Sequence, residues 1–212
     1  MITLIGEAHF DINKMERIAK LLNGYRPDVI GFESTAQDFE TGLRIYRVIV
    51  SKGALDDNTI PNPDVDKEAL RRFLYLTGDV AVDDYVRENN AKLVFCDDPV
   101  ELNKIDFVKE YQENMTVRKD TERILLGKLE DALKEIEDEY NMAEYPVADM
   151  PDLVQFYQTR DAFAERVLRE QKGNIVHIGG LDHIFGNYHP NLFDRLSDLH
   201  PTRIRLNEAD RF

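Results

Sequence analysis

The chain has 212 residues, 42% of them hydrophobic, which suits one domain of generous size, with or without a helical insertion. Its net charge of −14, from 41 acidic and 27 basic residues, speaks against nucleic acid or an anionic membrane as partner, since both are held by clustered Lys and Arg. No run is apolar enough to span a bilayer, the N-terminus lacks the basic flank of a signal peptide, and the single Cys96 excludes disulfide scaffolds and cysteine-rich zinc sites, so a soluble, cytoplasmic protein is expected.

The first element is the run Met1-Ile2-Thr3-Leu4-Ile5, rich in β-branched residues, which breaks at Gly6 and then presents Glu7 and His9. It reads as a buried strand whose C-terminal end carries a carboxylate and an imidazole. Asp11 or Asn13 then caps a helix from about Ile12 to Leu22, with Met15, Ile18, Ala19 and Leu22 at helical spacing and Gly24 as its stop. Pro27 precedes a second strand, Val29-Ile30-Gly31-Phe32, ending at Glu33, and Ser34 or Thr35 caps a helix toward Val50.

Gly53 to Asn62 carries turn signals and reads as a loop, with helical pieces at about Lys67–Leu76 and Asp79–Asn89. The third strand, Lys92 to Cys96, also ends in carboxylates, Asp97 and Asp98. From Val100 to Tyr140 the chain is charged and helical, with Ile124, Leu125, Leu129, Ala132, Leu133 and Ile136 in one stripe. This predicts a helical insertion, about residues 100–150, near the strand C-terminal ends.

A helix from about Asp152 to Gln171 buries Leu153, Phe156, Tyr157, Ala164, Val167 and Leu168. Arg160 falls on the same stripe, where an unpaired guanidinium would cost several kcal/mol, so it must meet an acid. Gly173-Asn174 leads into the strand Ile175-Val176-His177-Ile178, which runs through Gly179-Gly180-Leu181-Asp182 to His183. A helix from Asn191 to Leu199 and a closing strand, Arg203 to Leu206, complete the chain. The alternation predicts a single α/β domain over residues 1–212, with a central, mostly parallel sheet and helices on both faces.

Glycine followed three places later by histidine occurs twice after an apolar strand, at Gly6…His9 and Gly180…His183. If the two strands lie side by side, Glu7, His9, Glu33, Arg160 and His183 form one site at the strand tips. Mixed imidazole and carboxylate groups suit either a divalent metal, with Glu7, His9 and His183 as ligands, or metal-free acid–base work. Arg160 is the candidate for stabilising an oxyanion or anchoring an anionic ligand. His177, in mid-strand, reads as a structural histidine, and Asp97, Asp98 and Asp182 as turn or loop residues. A site of this kind fits an enzyme, or a protein that holds a small anionic ligand or peptide without turnover. Homo-oligomerisation stays open.

These residues resemble the TraB/PrgY/GumN family, related to the Tiki proteases and more distantly to the erythromycin esterase and ChaN proteins. The resemblance rests on Gly6-Glu7-Ala8-His9, Gly31-Phe32-Glu33, Arg160-Asp161 within a helix, and Gly180-Leu181-Asp182-His183. A weaker match is Asp97-Asp98-Pro99-Val100, where family members often carry Asp-Arg and this chain has Asp98 at the arginine's place. The resemblance implies an α/β fold with its site where the two Gly-x-x-His motifs meet. For Tiki-like members it implies a metal-dependent peptidase with manganese or cobalt favoured over zinc, and together with the expected cytoplasmic location the expectation is an intracellular hydrolase. Esterase-like members imply hydrolysis with a histidine base and no metal, and ChaN-like members imply haem.

Overall fold

A computed structural model describes residues 1–51, 78–97, 127–147 and 151–211. Asp98, the loop expected at 53–62, the helix expected at 67–76, the stripe residues Ile124 and Leu125 and most of the expected insertion lie outside the described residues. Five strands form one all-parallel sheet in the order β3-β2-β4-β1-β5: β1 Ile2–Glu7, β2 Val29–Phe32, β3 Lys92–Phe95, β4 Ile175–Gly180 and β5 Thr202–Arg205. The helices among the described residues are α1 Lys14–Tyr25, α2 Ala36–Ser51, α3 Gly78–Asn89, α4 Leu129–Asn141, α5 Pro151–Arg169, α6 Leu181–Phe185 and α7 Leu192–Arg195. Together they make the expected α/β fold.

β1 and β4 are central neighbours, and their apolar residues are buried, as an all-parallel sheet covered by helices requires. Their register pairs Gly6 with Gly179 and Glu7 with Gly180. The two motifs therefore leave the same edge of the sheet from adjacent strands. Alternation along β1 sends consecutive side chains to opposite faces. A Cβ on Gly6 would meet Leu181 and Phe185 of α6, whereas Glu7 pairs with Lys14 of α1 on the other face. The chain thus turns to opposite faces after these two neighbouring strands, the arrangement that opens ligand sites at strand C-termini in α/β sheets.

Local chemistry explains where the elements differ from the sequence reading. α1 starts at Lys14 rather than Ile12, because the Asp11 carboxylate accepts from the Asn13 N–H at 2.8 Å and holds the entering loop. It runs through Gly24 to Tyr25 and ends on Arg26, which takes the left-handed conformation (φ 48°) just before Pro27. Thr35 is the cap of α2: its hydroxyl accepts from the Asp38 N–H at 3.1 Å and donates to the Asp38 carboxylate at 2.8 Å.

In α4 the buried positions are Ala132, Ile136 and Tyr140, four residues apart, while Leu129 is 39% exposed. β4 stops at Gly180, so His183 sits in the short helix α6 rather than on the strand. The predicted helix 191–199 divides into α7, whose Asn191 forms a capping box with Asp194, and a separate 3₁₀ turn, Ser197–Leu199.

Candidate functional site

The site is built from the tips of β1, β2, β3 and β4 and from the inner face of α5. Arg160 is the hub on the α5 side. Its Nε donates to Asp97 Oδ1 at 2.9 Å, and its Nη2 donates to Asp97 Oδ2 at 2.6 Å and to Glu33 Oε1 at 2.5 Å. The required partner of a guanidinium on this stripe is therefore two carboxylates, one after β2 and one after β3. Asp97 is more than a turn residue: it is half of this clamp. With two acids on one base, Arg160 brings no surplus positive charge to anchor an anion.

Glu33 also accepts from the Gly180 N–H through Oε2 at 2.5 Å and faces His183 Nε2 at 3.3 Å. Burial works against its ionised form, but His183, Arg160 and His9, with the Gly180 N–H, hold the carboxyl well below the usual range. Gly179 leaves this carboxylate its room. A Cβ there would stand 2.7 Å from Glu33 Oε2 and 2.9 Å from His177 Nε2. At Gly180 a Cβ would run into Asp182 and lie 3.1 Å from the His9 ring. The double glycine is the means by which β4 admits side chains from β2, β1 and α6 against its backbone.

His183 is held from behind. Its Nδ1 lies 2.6 Å from Asp161 Oδ1, and Tyr188 donates its hydroxyl to Asp161 Oδ2 at 2.7 Å. The Tyr157 ring meets the imidazole edge-on, centroids 5.0 Å apart. Burial opposes protonation of His183, but Glu33, Asp161 and Asp182 outweigh it and raise the group to about 9. At neutral pH the ring is an imidazolium. Its Nε2 is buried without a hydrogen-bond partner.

His9 is different in kind. Its side chain is 56% exposed, against 3% for His183. Nδ1 stands 3.8 Å from Glu7 Oε1. Desolvation opposes protonation here too, and Glu7, then Asp182 and Glu33, overcome it and move the group upward. Glu7 Oε1 also takes the Lys14 ammonium at 2.7 Å, and Lys14 in turn donates to the His9 carbonyl at 3.1 Å. Burial disfavours the charged carboxylate, but Lys14 and His9 keep Glu7 below its ordinary value. Its second oxygen, Oε2, is buried without a partner.

His177 is 1% exposed and burial pushes it down to about 4, so it is a neutral structural histidine, as its mid-strand position suggested. Asp182 turns back to accept from the His183 N–H at 3.0 Å.

In kind, the donors suit a divalent ion, since Glu7 Oε2 and His183 Nε2 lack partners. As placed, they do not. Lys14 already neutralises Glu7, Asp161 and Glu33 already flank His183, and among the described residues no three His, Cys, Asp or Glu side chains are grouped as metal ligands.

Sequence reasoning missed Tyr188 and Lys14, and named Asp161 only within the Arg160-Asp161 motif, without a role. Asp161 had a readable signal: at 1% exposure it shares the buried stripe of α5 with Ala164 and Leu168, and an acid there demands a partner. Arg160 sits beside that stripe at the helix edge, its side chain 17% exposed. A cavity of about 410 Å³ lies elsewhere, between α1, α2 and α3, lined by Met15, Tyr46, Tyr85 and the acids Glu16, Asp84 and Glu88, and it contains none of these groups.

Compared with models of protein families, with curated proteins and with solved structures, the chain finds no match in any of the three.

Proposed function

We propose that the chain is a hydrolase of ester or peptide bonds in which His9 carries the catalytic proton. What supports this reading above all is the unequal setting of two imidazoles brought to one sheet edge: one exposed beside a carboxylate, the other buried as a cation between two carboxylates. Paired titratable groups held in unlike environments are how acid and base roles are divided. His9 takes a proton from water, the hydroxide adds to the substrate carbonyl, and the imidazolium returns the proton to the leaving oxygen or nitrogen. Glu7 orients the His9 ring. His183, an imidazolium held against Glu33, lends its positive charge to the carbonyl oxygen as negative charge builds there. Asp161 and Tyr188 fix that ring, and Arg160 holds Glu33 in place beside it.

The test is a screen of chromogenic esters and short peptides with the unmodified protein, His9→Ala and His183→Ala. The reading expects turnover of at least one ester or peptide, a loss of about 100-fold or more in each variant, and unchanged circular dichroism. Full turnover in His9→Ala would remove the histidine from its role.

A further inference from the structure

We propose that Tyr140, on α4, is the positioning residue that sets His9, although it lies 131 positions away in the chain. His9 sits on a short loop between β1 and α1, whose α1 side is held by Asn13 N–H on the Asp11 carboxylate and by Lys14 on the His9 carbonyl. Asp11 N–H donates to the Ala8 carbonyl at 3.0 Å, closing a turn around His9. The Ala8 N–H, at the mouth of that turn, donates to the Tyr140 hydroxyl at 3.1 Å, and the same hydroxyl donates to Asp11 Oδ2 at 2.7 Å. One phenol therefore spans both ends of the turn that carries the imidazole.

The phenol is itself fixed. Tyr140 is 2% exposed. Arg17 of α1 donates to Asp11 at 2.9 Å and to Glu137 of α4 at 2.9 Å, and its guanidinium lies 5.6 Å from the centroid of the Tyr140 ring. Burial and the neighbouring Asp11 push the phenol's ionisation well above its ordinary range, so it remains an O–H donor. A buried hydroxyl with one donor and one acceptor partner is fully specified, and such networks fix a single geometry. Nothing in this bracing requires the helix to touch substrate. Its effect on turnover rests on the proposed role of His9, but its geometry can be read without turnover.

The experiment follows the His9 Cε1–H signal by NMR through a pH titration in the unmodified protein, Tyr140→Phe and Ile136→Ala. Ile136 is on the same helix and is 2% exposed, so its truncation loosens α4 without touching the loop's hydrogen bonds. The groups that face His9 are Glu7, Asp182, Glu33 and Lys14. In Tyr140→Phe the loosened loop should lose part of its contact with the carboxylates, and the His9 midpoint should fall by about half a pH unit or more. Ile136→Ala should leave the His9 midpoint unchanged. An unmoved His9 in Tyr140→Phe, or an equal shift in both variants, overturns the proposal. Should Tyr140→Phe not fold, hydrogen exchange in the unmodified protein decides: an Ala8 amide exchanging at the rate of an open loop overturns it, and one protected like the β1 amides supports it. Loss of the hydrolase reading would leave either result standing.

Discussion

Nδ1 of His183 lies 2.6 Å from Oδ1 of Asp161, across from the face on which Nε2 of the same ring meets Glu33 at 3.3 Å. The imidazole is thus held between an acid from α5 and an acid from the tip of β2, and its charge is part of the fold.

That charge makes stability depend on pH in a set direction. His183 is raised to about 9 in the folded chain, above its ordinary value near 6.5, so the folded state holds the proton more tightly. The stabilisation is complete below about pH 6.5 and is lost as pH rises through about 9, on the order of 3 kcal/mol for a shift of this size. Glu33, Asp161 and Asp182 favour the protonated ring, with burial and Arg160 working against it. Urea unfolding at about pH 6 and about pH 10 should show a drop in the native protein and a smaller one in His183→Gln. Equal drops would assign the pH dependence to other groups.

Breaking the clamp at Arg160 should cost more than the clamp itself is worth. Arg160→Met leaves Glu33 and Asp97 facing each other with side chains 11% and 8% exposed. A stranded buried charge of this kind destabilises by about 3 kcal/mol or more. Arg160→Lys restores the charge but not the bidentate fork onto Asp97, so denaturation midpoints should rank native, Lys, then Met.

Gly179→Ala tests the room made for Glu33. The added methyl would fall 2.7 Å from the carboxylate, which must leave the Gly180 N–H and crowd His183. Turnover should fall by about tenfold or more with about 1–3 kcal/mol of lost stability. Unaltered turnover would mean that the Glu33 position is not used in the chemistry.

With Lys14 on Glu7, hydrolysis should survive a chelator. Turnover measured before and after exhaustive dialysis against a strong chelator checks this. Activity lost on dialysis and regained with manganese or cobalt would return Glu7, His9 and His183 to the metal-ligand role.

Much of this was legible in the sequence because it follows from local pattern. Val29–Phe32 was predicted as a strand and is one, since a short β-branched run between Pro27 and a helix cap has few other solutions. That the strand ends carrying Gly6 and Gly180 would lie side by side was an expectation about pairing, and β1 and β4 are neighbours, with the motifs one residue out of register: Gly6 faces Gly179 and Glu7 faces Gly180. Asp161 was quoted in a motif, but its buried place was not read, because one residue of helical phase, 100°, separates it from Arg160, and the stripe was centred on the wrong one of the two. Lys14 and Tyr140 were out of reach for another reason. Their roles depend on contacts with Glu7 and with Ala8 and Asp11, set by how α1 and α4 pack and not by spacing along the chain.

The central claim is that His9 and His183, from two motifs, act in one site. It is tested most directly by kcat/KM for the best substrate of the screen in His9→Ala, His183→Ala and the double variant. Residues that serve one reaction as a unit are strongly non-additive. The double variant should be no slower than the slower single one. Losses that multiply, or a single variant with native activity, would contradict it.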